Sequence, residues 1–474
     1  MKWTVLIVVA LFALLVLINW RDEELSDEAR ALLETKPSEV PDNENIFVAM
    51  VGFYAPEESD IFEAGRKRIE GIEKEDPTGM GAPLRWLKEQ EGKEELRWQR
   101  AEPSFDCWYK RGTAFLGCIY SQKELLEKTL TANGALIQRY RLLQELPYYA
   151  APPNCNPFFI PSYGLLSEIR GTLVAQAVLE IEAGNAGEGL MFFNQGSTFL
   201  RRNLEGKSCL LDSAIAAAQM MKEVYQISFL LSSSSADIEK HASEWRGLLT
   251  PLSPEQVSMR PAIEGEIRFM YNALPALKKW VSYQEATEQT FRICWGWGKW
   301  GEWEECSAWQ WWLEQNASNL FFHPNATFNY GVPFFKARLK LAELPWRDYI
   351  EQRDETLASL AERSNPRMDW IYNPLGKNQS RYHHLWDEYV GRLHDLDTYL
   401  RLVRLQLELR LTKLPSEEIP AFIAQLDEAY CAPCSDFSWD AGTRMLSFQP
   451  YVENWITRHA SASVYVPEMS AGKN

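Results

Sequence analysis

Histidine is scarce in this chain, with six among 474 residues, and 49 lysines and arginines fall short of 65 aspartates and glutamates, for a net charge of −16. Such a surface holds no surplus of cations to neutralise phosphates, which argues against nucleic acid as a partner; an anionic lipid surface would repel the bulk of the chain. G-x-S-x-G, H-E-x-x-H and paired Cys-x-x-Cys spacings are all missing, so serine-hydrolase, zinc-protease and zinc-finger chemistries have no basis in the sequence. The rest of the composition, 46% hydrophobic and 24% charged, is that of a globular chain of one large or two average domains. It is not that of a disordered, collagenous or polytopic membrane protein.

One long apolar run is present. From Trp3 to Trp20 the sequence WTVLIVVALFALLVLINW carries no charge, with Lys2 before it and Arg21-Asp22-Glu23-Glu24 after it. As a helix it would measure roughly 27 Å, close to the hydrocarbon thickness of a bilayer, with a tryptophan at each end for the interfacial belts. No small-x-small cleavage site follows, so the segment reads as an uncleaved anchor. Positive charge at the extreme N-terminus places that end in the cytoplasm and the bulk on the far side, in the periplasm if the membrane is the inner membrane of a bacterium.

Eight cysteines, at 107, 118, 155, 209, 294, 306, 431 and 434, suit an oxidising compartment. They form three close pairs plus Cys155 and Cys209, although eight thiols allow on the order of a hundred pairings. Between Cys107 and Cys118, Lys110-Arg111-Gly112 stand midway between short apolar runs, which predicts a disulfide across a β-hairpin.

The expected organisation is an anchor (1–21), an acidic, proline-punctuated tether (22–46) with a short helix at 24–36, a mixed α/β subdomain (47–150), and a helical domain (151–474). The expected fold is mainly α, with one transmembrane helix and minor β-hairpins. Leu165, Leu166, Ile169, Leu173, Ala177 and Ile181 recur at helical spacing, as do Leu210, Leu211, Ile215, Ala218, Met221 and Val224. The glycine-rich stretch 182–189 predicts the turn of an αα-hairpin. The Ala-rich helix, Gly turn and next helix start are similar to a tetratricopeptide unit, but no recurrence at about 34 residues follows. Further helices are expected at 61–74, 254–280, 334–363, 382–412 and 417–428, the 382–412 helix as a packed surface helix with leucines on one face and arginines on the other. Phe437 to Phe448 alternates around Asp440-Ala441-Gly442-Thr443, the pattern of a β-hairpin. A helix, a Pro-rich loop and a small hairpin at the chain's end resemble some pilin-like exported proteins.

Several motifs point to chemistry and meet simpler readings. Gly296-Trp297-Gly298-Lys299-Trp300-Gly301 spells G-x-G-x-x-G, but two tryptophans occupy a loop that must approach a pyrophosphate closely. Gly206-Lys207-Ser208 lacks the first glycine of a P-loop, since Arg201 stands there. Cys431-Ala432-Pro433-Cys434 has the spacing of a redox pair but follows a predicted helix, where a structural disulfide fits better. His383, His384 and His394, with Asp387 and Glu388, cluster on one predicted helix, whose default is a solvated polar face; no metal or cofactor is assigned. Gly189-Leu190-Met191, downstream of Glu180 and Glu182, resembles the Glu…Gly-Leu-Met-Gln element of lytic transglycosylases, with Phe192 in place of the glutamine.

Seven of the nineteen tryptophans fall within 18 residues: Trp295, Trp297, Trp300, Trp303, Trp309, Trp311 and Trp312, partly bracketed by Cys294 and Cys306. Such rings form a local core, a protein interface, or a stacking surface for sugars or lipid headgroups. The expected function is a non-catalytic, membrane-anchored scaffold or assembly component of the bacterial envelope, with other envelope proteins as partners. The alternative is an enzyme or binder of envelope glycan, with Glu180 or Glu182 as acid and the tryptophans as subsites. Sequons at Asn316, Asn325 and Asn378 leave a eukaryotic lumenal setting open.

Overall fold

A computed structural model of the chain describes residues 2–35, 39–75, 96–100, 105, 107, 110, 112–153, 163–207, 209–233, 237–283, 293–295, 303–305, 321–363, 371–373, 385–426, 437–452 and 462–467. The fold is mainly helical, as expected. The described helices are α1 (Lys2–Ile18), α2 (Asp27–Leu33), α3 (Ile46–Val51), α4 (Ile61–Glu75), α5 (Thr113–Ser121), α6 (Lys123–Ala132), α7 (Gly134–Glu145), α8 (Tyr163–Glu182), α9 (Ala186–Glu205), α10 (Leu210–Ser232), α11 (Ala242–Leu248), α12 (Pro254–Val257), α13 (Arg260–Tyr283), α14 (Pro324–Leu341), α15 (Trp346–Arg363), α16 (Leu385–Thr412) and α17 (Ile419–Gln425). Strands β1 (Ile293–Trp295) and β2 (Trp303–Glu305) form an antiparallel pair, and β3 (Phe437–Asp440), β4 (Met445–Phe448) and β5 (Ser463–Tyr465) an antiparallel sheet in that order.

The αα-hairpin is α8 and α9. Gly184 takes φ 90°, the left-handed conformation open to glycine, and Asn185 N–H then reaches back to Glu180 O at 2.8 Å, closing the end of α8. The helices approach closely because Gly189 of α9 faces α8: a Cβ there would sit 2.5 Å from Ala177 O. Of the α8 residues picked out by spacing, Leu166, Ile169, Leu173, Ala177 and Ile181 are buried and Leu165 is half-buried, and all seven residues from 169 to 175 are buried, so α8 is enclosed on every side along that stretch.

Helix α16 is likewise central, which corrects its expected place at the surface: Leu396, Leu400, Leu402, Val403, Leu405, Leu407 and Leu409 are all buried, and its arginines do not make a solvent face, Arg410 being buried as well. Packed along α10, it is bonded through Gln406 to Ser228 and to the Tyr465 carbonyl of β5 (2.7 Å), which fixes the C-terminal sheet onto both helices. Asp395 holds the following loop through Tyr451 N–H (2.8 Å) and Val452 N–H (2.9 Å).

Three further sequence expectations change. In place of the β-hairpin expected between Cys107 and Cys118, α5 begins at Thr113: Gly112, at φ 53°, makes a bend, but the apolar run after it coils as a helix. Among the described residues of 47–150 every regular element is a helix, and the only β-type pairing is a bridge from Asn45 to Tyr148. The helix expected over 334–363 is two helices, because Pro345 disfavours helical backbone at Leu344, and the first begins earlier, with Pro324 in its first turn. The hairpin over 437–448 is present, its turn closed by Asp440 accepting from Gly442 and Thr443 N–H.

Candidate functional site

Helix α1 presents apolar side chains all round. Every described side chain from Trp3 to Leu14 is exposed, Trp3 by 80%, and Leu17 and Trp20 by 69% and 71%. Elsewhere among the described residues the exposed large apolar side chains are few and separated in sequence, whereas a run of this extent calls for an explanation. Among the described residues no helix is long and apolar enough to cross a membrane; α1, the most apolar, has 17 residues.

Burial begins abruptly at Asn19, which is 1% exposed. Its side-chain amide donates to Leu15 O (3.0 Å) in the last turns of α1 and to Ile371 O (2.8 Å), and its oxygen accepts Asn373 N–H (3.0 Å). Asn373 is itself wholly buried at φ 50°, and its side chain accepts His323 N–H (2.9 Å) and donates to Thr327 Oγ1 (3.0 Å) at the start of α14. The His323 ring stacks on Tyr372, whose hydroxyl donates to Arg21 O. Burial, with Glu23 and Asp22 nearby, pushes the Tyr372 hydroxyl up to about 12.

The chain then runs along α14. His323 gives that helix no side-chain cap, and the Asp22 carboxylate supplies one, accepting Asn325 N–H (2.9 Å) and Ala326 N–H (3.0 Å). Asn329 bonds Glu23, Glu24 and Ser26, Lys336 pairs with Glu28, and α2 packs on α13 and α14. Residues 22–34, within the segment expected to be a tether, are thus docked, with the Asp22, Glu23 and Glu28 carboxylates bonded to α14.

The sequence-selected residues fall in several places. Cys107 and Cys118 form a disulfide and Cys209 is in one as well, while Cys294 is placed by its backbone in β1. Cys155, Cys306, Cys431 and Cys434 lie outside the described residues. Trp295 and Trp303 are backbone register partners in the β1–β2 pair, and Trp297, Trp300, Trp309, Trp311 and Trp312 lie outside the described residues, as do the Gly296–Gly301 and Cys431–Cys434 motifs. Glu180 accepts from the Asn185 side chain (2.9 Å) and Glu182 from Tyr120 (3.3 Å), so both carboxylates are engaged at the αα-hairpin turn. Lys207 donates to the carbonyls of Leu204, Glu255 and Gln256, which commits its ammonium to peptide oxygens. His383 and His384 lie outside the described residues, Glu388 pairs with Arg392, and burial holds His394 down at about 4. Among the described residues no group of three or more His, Cys, Asp and Glu is arranged to hold a metal ion.

The sequence reading missed the buried ionisable groups. Arg170 of α8 pairs with Glu223 of α10 at 2.5 Å, both side chains nearly inaccessible, and donates to Tyr140 of α7 (3.1 Å). Gly196 of α9 makes room, since a Cβ there would sit 2.9 Å from the guanidinium. Asp212 accepts from Tyr163 (2.7 Å) with Tyr149 beside it, and burial pushes its carboxyl up to about 6. Burial acts the same way on Asp395, pushed up to about 7, and holds the Lys207 ammonium down at about 7. Polar letters inside helical repeats are the only sequence trace of these groups.

No family model, no curated protein and no solved structure matches the chain.

Proposed function

We propose that the protein is a single-pass, membrane-anchored scaffold whose N-terminus is cytoplasmic and whose bulk lies in an oxidising extracytoplasmic compartment, the periplasm in a bacterium. The observation that carries this reading is α1, whose apolar side chains have no protein to cover them. At about 1.5 Å per residue the helix is about 26 Å long, somewhat shorter than a typical hydrocarbon core, and local thinning of the bilayer takes up that mismatch. Exposed Trp3 and Trp20 suit the two interfacial belts. The Cys107–Cys118 disulfide and the bonded Cys209 support an oxidising setting. The scaffold role is favoured over the glycan-cleaving reading by the place of Glu180 and Glu182 at the αα-hairpin turn, where they bond the Asn185 and Tyr120 side chains.

The test is alkaline extraction of membranes from cells making the full chain, beside a Val8→Glu, Leu11→Lys variant. The natural chain should stay in the membrane pellet and the variant should leave it. Release of both would overturn the anchor. The scaffold role predicts that the detergent-extracted protein sediments with a stoichiometric envelope partner, and a lone monomer would overturn it.

A further inference from the structure

Resting on the anchor reading, we infer that α1 is clamped to the folded domain and that the surface around its base, formed by Trp20, Arg21, Ile371 and Tyr372, is held against the interfacial layer of the membrane. Asn19 follows the last residue of α1 and ties that helix, through Leu15 O, to Ile371 O and Asn373 N–H. Asn373 passes the connection to His323 and Thr327 at the start of α14, and Asp22 caps the same helix three residues after Asn19. Swinging α1 about its base would break the bonds of Asn19, which is 1% exposed, to Leu15 O or to Ile371 O and Asn373 N–H, leaving buried polar groups unpaired. Segment 371–373 is therefore fixed beside the point where the chain leaves α1.

The chemistry of that surface suits the boundary between headgroups and acyl chains. Trp20 is 71% exposed and Ile371 43% exposed, and Tyr372 joins an aromatic ring to a hydroxyl bonded to Arg21 O. Of the acids that follow, Asp22 is turned onto the backbone of α14 and Glu23 onto the Asn329 side chain while Glu24 stays exposed, so the surface suits a largely zwitterionic lipid layer. The partner is a lipid surface, reached without any further protein.

The experiment uses the full chain with one added cysteine at a time, Leu11→Cys, Ile371→Cys or Met191→Cys, each carrying a nitroxide. The proteins are reconstituted in vesicles of phosphatidylethanolamine with a minority of phosphatidylglycerol. Collision with oxygen and with a water-soluble nickel chelate reports the depth of each label. The Leu11 label should lie in the hydrocarbon, the Ile371 label at headgroup depth, and the label at exposed Met191 in water. A Leu11 label in water would overturn the anchor reading itself. A Leu11 label in hydrocarbon with the Ile371 label in water would overturn this inference alone. Adding Asn19→Ala together with Asp22→Ala, which removes both side-chain ties, should move the Ile371 label into water while the Leu11 label stays deep, and an unmoved Ile371 label would overturn the clamp.

Discussion

Replacing Asp212 by asparagine should change how stability depends on pH, in a direction fixed by the site. The carboxyl is 4% exposed, accepts from Tyr163 and lies beside Tyr149 and Glu266, and no cation bonds to it among the described residues. Burial therefore raises its pKa from 3.8 to about 6 despite the tyrosine hydroxyls. A folded-state pKa above the unfolded value means that folding takes up a proton. The stabilisation is full below about pH 4 and is lost as the pH climbs through about 6. The whole loss is about 3 kcal/mol, of which about 2 kcal/mol falls between about pH 4.5 and about pH 8. Asparagine keeps an oxygen for Tyr163 and cannot ionise. Against the natural chain, Asp212→Asn should gain about 2 kcal/mol between those pH values. Asp395 works in the same direction and Lys207 in the opposite one, but both are common to the two proteins and cancel in the comparison. The assay is urea unfolding followed by circular dichroism in mild detergent at both pH values. Equal pH dependence of the two midpoints would refute the argument and would mean that buried Asp212 is ionised and sustained by its tyrosines.

Glu223→Gln leaves the Arg170 charge buried without its counter-ion and should destabilise by about 3–5 kcal/mol, whereas Arg170→Met with Glu223→Leu should cost much less, as urea midpoints of the single and double variants would reveal. Gly65→Ala places a Cβ 2.0 Å from Val48 O, where α3 and α4 meet backbone to backbone; it should force them apart, cost at least about 1–3 kcal/mol and open 46–75 to limited proteolysis. Cys118→Ser removes a bond closing a loop of sequence separation 11 and should lower stability by about 2–3 kcal/mol, with the difference from the natural chain vanishing under reducing conditions.

The helices were legible wherever apolar residues kept helical spacing and the turn chemistry agreed, as at Leu166, Ile169, Leu173 and Gly184, and the terminal hairpin was legible in its Asp-Ala-Gly-Thr turn. The segment after Gly112 was not. TAFLGCIYS is apolar almost throughout, so neither a two-residue nor a helical period marks it, and a cysteine pair is compatible with either structure. The docking of residues 22–34 was illegible for another reason. Asp22 and Glu23 look like solvated acids until α14, about 300 residues away in sequence, brings an uncapped helix start and Asn329 beside them. The base of α1 shares this character, since Asn19 alone in an apolar run reads as a blemish at the end of an anchor, and its partners at 371–373 have no pattern at all.

What the apolar pattern cannot supply, buried polar groups do. Helices α8 and α16 are enclosed on nearly all sides, so burying leucine and alanine fixes that they pack but not at which rotation or height. Arg170 meets Glu223 and Tyr140 at one setting of α8 against α10 and α7. Gln406 reaches Ser228 and Tyr465 at one setting of α16 against α10 and β5. Asn19 and Asn373 do the same for α1 against α14. At any other setting each of these groups would be buried without a partner, a cost of about 1–3 kcal/mol apiece and more for the charged ones. The penalty falls on the alternatives and not on the native packing, which is how a chain rich in interchangeable leucines arrives at one arrangement and how an exposed apolar helix can be set at a fixed angle to the folded domain.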